Sequence, residues 1–135
     1  MKLVREIAKN QVAARHSDVM AVAAYLHHFY TGVEAIFERI SIVFDGRQPI
    51  SANYQRELLS SMTLEIPDVR PRIITKDLWK VLDELREFRD MFRHAYGGEL
   101  SWSKVEVLAS KIDSLKSSLS YQIENFIKSV EDMNK

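Results

Sequence analysis

Arg89, Asp90, Arg93, His94 and Tyr96 fall within eight residues of one another and carry most of the chain's reactive potential. Arginine brings a fixed cation and histidine a base that titrates near neutral pH. Asp90 sits one helical turn before His94, close enough to orient the imidazole or raise its pKa. That set suits phosphoryl transfer on RNA without a metal. The 2′-hydroxyl attacks the adjacent phosphate. His94 moves a proton, and Arg89 neutralises charge on the phosphorane oxygens. One chain offers a single such histidine, so a symmetric dimer would bring two Arg89 and two His94 into one cleft. Other chemistries lack their residues. Without cysteine there is no disulfide or thiolate site. No His, Asp and Glu cluster at metal-ligand spacing and no glycine-rich phosphate loop is present, and no cofactor is expected.

A helix must position these residues. From Thr75 to Tyr96, Leu78, Val81, Leu82, Leu85, Phe88 and Phe92 form one apolar arc at about 100° per residue. Arg89 lies inside or at the edge of that arc, where a guanidinium is costly without a partner or a cleft. It could equally be a structural ion-pair residue holding Glu34 or another carboxylate. Thr75 caps this helix, and Gly97-Gly98 stops it at about Ala95 or Tyr96.

The rest of the chain is also helical in period. A modest helix is expected over about 2–15. Ser17 or Asp18 caps the next, whose Val19, Val22, Leu26, Phe29, Val33, Ile36, Ile40 and Val43 form an a/d seam. Beside that seam runs a semi-polar stripe of Ala23, His27, Tyr30, Glu34 and Phe37, placed to face a second helix, a partner subunit or an active site. Tyr30 and Glu34 share a face and are candidates to line a cleft opposite Arg89. His27 and His28, being adjacent, should point to different faces. Gly32 in mid-helix suggests a close helix approach. Asp45-Gly46 makes a turn, a short helix spans about 52–62 with Ser51 as its cap, and 64–74 is an irregular connection. Ser103-Lys104-Val105-Glu106 matches a capping box. It opens a last helix to about Asp132 with Val105, Leu108, Ile112, Leu115, Leu119, Ile123, Phe126 and Val130 inside. The fold expected is a single all-α domain over 1–135, an antiparallel bundle of three long and two shorter helices.

Composition sets bounds on function. The 135 residues are 46% hydrophobic and 28% charged with zero net charge. Neutrality weighs against nucleic-acid binding, although a local basic patch suffices. Arg70, Arg72, Arg86, Arg89 and Arg93 crowd into one stretch, and no arginine follows Gly98. No leader-like or membrane-spanning run is read in the sequence, so a cytoplasmic location is expected.

The segment resembles a known pattern. HEPN ribonucleases carry an arginine, a polar residue, and a histidine four to six positions further on near a helix end. Arg89-Asp90-Met91-Phe92-Arg93-His94 fits, and Tyr96 completes the R-x4-H-x-Y form of the HepT-like toxins. Tyr25 to Glu34, Ile36 to Ile40 and Val69-Arg70-Pro71 are similar to the same family, over about Ala21 to Leu108. The resemblance implies a HEPN-like helical domain and a metal-independent, homodimeric endoribonuclease. In a type II/VII-like toxin–antitoxin system it would be neutralised by an MNT-type nucleotidyltransferase antitoxin, which can AMPylate the motif tyrosine, here Tyr96. Arg89 and His94 would be catalytic, and Asp90 and Arg93 would support them. The competing reading is a non-catalytic helical module that docks a nucleotidyltransferase or its small-molecule substrate.

Overall fold

The computed structural model describes residues 16–46, 52–94 and 102–133; for His16, Arg93, His94 and Trp102 it describes the backbone alone. The helix expected over 2–15 lies outside these residues, as do Ser51, expected to cap the helix over about 52–62, Tyr96 and Gly97-Gly98. The described chain is an all-helical bundle. Helix α1 is His16–Ile40, followed by a π-helical turn, Ser41–Asp45. Helix α2 is Tyr54–Ser61, α3 Lys76–His94, α4 Trp102–Ser110 and α5 Ile112–Met133. Among the described residues three helices are long and two short; the short helix expected over 2–15 is not among them, and α4 is part of the expected last helix.

Helix α1 buries Val19, Val22, Ala23, Leu26, Tyr30, Val33, Phe37 and Ile40. That is not the a/d seam. A straight helix drifts about 20° per heptad against a seven-residue repeat. The d positions therefore turn outward along its length: Val22 is buried, Phe29 partly buried, and Ile36 is 43% exposed. The e positions Ala23, Tyr30 and Phe37 turn inward and replace them. The semi-polar stripe is thus half of the core face, and it packs on α3.

Gly32 is exposed, and a Cβ built there meets nothing within 4 Å, so no close helix approach explains it. Gly46 does serve geometry: at φ 78° it ends the π-turn in the left-handed region. Asn53, not Ser51, precedes α2, and it makes no side-chain capping bond.

Arg70 knots the irregular connection to that turn. Its side chain is fully buried, and Nε and Nη2 donate to the two Asp45 carboxylate oxygens at 2.7 and 3.1 Å. The remaining N–H groups reach the carbonyls of Leu64 at 2.8 Å, Ser61 at 3.1 Å and Pro71 at 3.3 Å.

The expected last helix is broken. Ser103 lies inside α4, and the helix is interrupted at Lys111. There the Ser110 hydroxyl donates to the Val107 carbonyl at 2.7 Å and the Lys111 amide to the Leu108 carbonyl at 3.1 Å. The apolar face survives: Val105, Ile112, Leu115, Leu119 and Phe126 are buried, joined by Ala109.

Candidate functional site

Helix α3 begins as expected. The Leu78 amide donates to Thr75 Oγ1 at 3.3 Å, and Asp77 lies in the first turn, which favours the helix dipole. Leu78, Leu82, Leu85 and Phe88 are buried and fix the helix's rotation. Four residues after Leu85, that rotation drives Arg89 into the interior, where its side chain has no exposed surface.

Three groups surround the guanidinium. Glu34 Oε2 lies 2.9 Å from Nη1, and Asp90 Oδ1 lies 3.6 Å from Nη2. Tyr30 offers its ring face 4.7 Å from Cζ, a cation–π contact. Tyr30 and Glu34 therefore do face Arg89, one turn apart on α1. Burial first, and then the Glu34 charge, push the Tyr30 phenol well above its ordinary value. It stays protonated and cannot act as a base.

The three Arg89 nitrogens are buried, and among the described residues none makes an aligned hydrogen bond. The Glu34 approach is close in distance but off-axis. It is an ion pair without the fork geometry that guanidinium and carboxylate can adopt. Buried donors left this way are rare in native proteins.

Asp90 is shared. Its Oδ2 accepts from Arg86 Nη1 at 3.3 Å, while Arg86 Nε donates to Asp83 at 2.8 Å. Burial opposes the Arg86 charge, but the Asp83 bond and the Asp83 and Asp90 charges outweigh it and raise its pKa. Asp90 thus links two arginines. Arg93 and His94 close α3, and Tyr96 follows two residues later.

Sequence reasoning set His27 aside. In the structure its ring lies 5.5 Å from Phe92, inside the Arg89–His94 segment, and 5.2 Å edge-on from His28. The two histidines touch rather than diverge. The available signal was the stripe itself, since His27 and Glu34 are two turns apart on one face.

Among the described residues, no three His, Cys, Asp or Glu side chains converge to hold a metal ion, and no helix is long and apolar enough to cross a membrane.

The described fold is an all-helical bundle in which α3 buries Arg89 against Glu34 and ends at His94. The chain belongs to the HepT-like protein family, whose model matches residues 21–130. No curated protein and no solved structure matches it.

Proposed function

We propose that this HepT-like chain is the toxin of a toxin–antitoxin pair and a metal-independent endoribonuclease, with Arg89 and His94 as its catalytic residues. The observation that carries the reading is the Arg89 guanidinium, wholly buried with its N–H groups unaligned to any acceptor among the described residues. Such a cation gains most when phosphate oxygens reach it, because charge-assisted forked bonds replace a poor contact. Tyr30 and Glu34 hold it from behind and Asp90 from the side. In the free chain they keep it in place while covered. Substrate engagement requires the helix end to expose it.

In the reaction the 2′-oxygen bonds to phosphorus and the P–O5′ bond breaks, leaving a 2′,3′-cyclic phosphate and a 5′-hydroxyl. One His94 takes the 2′-hydroxyl proton and a second, from a partner copy, protonates the 5′-oxygen. Arg89 stabilises the charge that builds on the non-bridging oxygens. Arg93 supports phosphate binding. The antitoxin is an MNT-type nucleotidyltransferase, and AMP placed on Tyr96 would set an anionic adduct beside these cations and block the phosphate site. A cytoplasmic location goes with this reading.

A second reading is favoured by the Arg89–Glu34 pair: a buried ion pair between α1 and α3 that serves packing in a non-catalytic module docking a nucleotidyltransferase. One experiment separates them. Purified His94→Ala, whose change lies outside the buried pair, is assayed on RNA beside the wild type, with thermal melting as the folding check. Loss of cleavage by about 10²–10⁴-fold in a folded variant supports catalysis; a wild type that cuts no RNA leaves only the docking module. For the modification, intact mass after co-expression with the antitoxin should rise by AMP units, and Tyr96→Phe should remove the rise.

A further inference from the structure

The arginine-rich stretch gave the one local reason to expect RNA on a neutral chain, yet most of it is engaged internally. Arg70 is held by Asp45, Arg86 by Asp83 and Asp90, and Arg89 by Glu34. Among the arginine side chains described in that stretch, Arg72 differs: it is exposed and forms no ion pair with a described residue. It lines a cavity of about 270 Å³ together with Thr75, Tyr121, Gln122, Asn125 and Ser129.

The types gathered there are informative. Tyr121 is 66% exposed, a large aromatic with most of its surface open to solvent. Asn125 and Ser129 follow it at one and two turns along α5, both exposed. The floor is rigid. Gln122 Oε1 accepts from the Thr75 amide at 2.8 Å and its Nε2 donates to Thr75 Oγ1 at 3.4 Å. These bonds pin α5 to the start of α3 and hold Tyr121 and Arg72 on the two sides of one cavity.

We infer that Arg72, Tyr121 and Asn125 form a binding subsite for one nucleotide of single-stranded RNA. Arg72 contacts the phosphate, Tyr121 stacks on the base, and the Asn125 amide meets the base edge. An unpaired base is required, since a duplex hides its face. Thirteen residues of α3 separate Lys76 beside this subsite from Arg89, on the order of 20 Å at the helical rise. The subsite therefore grips the strand away from the cleaved bond. It rests on the ribonuclease reading for its substrate class.

The test is fluorescence anisotropy with a fluorescein-labelled single-stranded RNA in the His94→Ala background, so that the probe stays intact. Arg72→Gln and Tyr121→Ala should each weaken binding about tenfold. Arg72→Gln should also reduce the slope of log K against log salt by about 0.7, one phosphate contact's share for a single strand. Tyr121→Phe keeps the stacking face and should bind like its parent. Parental affinity in both weakening variants overturns the subsite, as does a parent that binds no RNA. Failure of the ribonuclease reading looks different: wild type binds the RNA, loses it with Arg72→Gln, and does not cut it.

Discussion

Arg70 and Arg89 are both arginines with fully buried side chains, and each is ion-paired to a carboxylate on or just after α1. Their surroundings diverge. Arg70 aligns its N–H groups on Asp45 and three backbone carbonyls; Arg89 has one close but off-axis carboxylate, a second at 3.6 Å and an aromatic face. A buried cation whose donors are all satisfied is a fastener, and any change there registers as stability. A buried cation with unaligned donors retains capacity for a further anion, and a change there should register in activity.

The largest expected effect falls on the fastener. Arg70→Ala strands Asp45 and three carbonyls, and should cost about 3–5 kcal/mol in urea unfolding. A loss below about 1 kcal/mol would erase the contrast. Next comes Arg89→Lys, which keeps a charge opposite Glu34 but loses the planar fork. It should cut RNA cleavage about 10²–10³-fold while melting close to the wild type. If melting falls as far as in Arg70→Ala with cleavage per folded molecule unchanged, Arg89 is a second fastener.

Smaller effects follow from the tyrosines and the glycine. The Tyr30 phenol is raised above its ordinary 10.0 by burial and by Glu34. Tyr54 is raised likewise, by burial and then by its hydrogen bond to Glu38. Above pH 10 the unfolded chain loses these protons while the folded chain keeps them, so stability is intact below that pH and falls as pH rises past it. Tyr30→Phe should flatten part of that fall in pH-dependent melting; an unchanged curve would place the Tyr30 hydroxyl in water. Gly32→Ala removes backbone freedom at an open helical position and should add about 1 kcal/mol, raising Tm by a few degrees. A lower Tm would mean that the site is closed.

The contrast between the two arginines also marks what the sequence made legible. Helical period, the Thr75 cap and the apolar arc of α3 were readable because each is a local pattern. The same arc put Arg89 inside or at its edge, where it could hold Glu34 or another carboxylate, and the ion pair formed is with Glu34. Arg70 was read only as part of an irregular connection. Its role depends on Asp45, 25 residues away, and on carbonyls that no side-chain pattern reveals. The choice of e over d positions on α1 escaped because a seven-residue repeat and a 3.6-residue helix agree over one heptad and part over three. The interruption at Lys111 escaped because the apolar period runs through it, while the Lys111 amide bonds the Leu108 carbonyl three residues back. His27 and His28 were expected on different faces, yet their rings lie 5.2 Å apart, and His27 lies 5.5 Å from Phe92.

The central claim is that the Arg89–His94 segment cleaves RNA. Single-turnover cleavage of RNA by purified wild type, Arg89→Lys and His94→Ala, each confirmed folded by its melting curve, tests it most directly. The account predicts cyclic-phosphate products from the wild type and losses of at least about 10²-fold in both variants. Wild-type rates in both folded variants would contradict it.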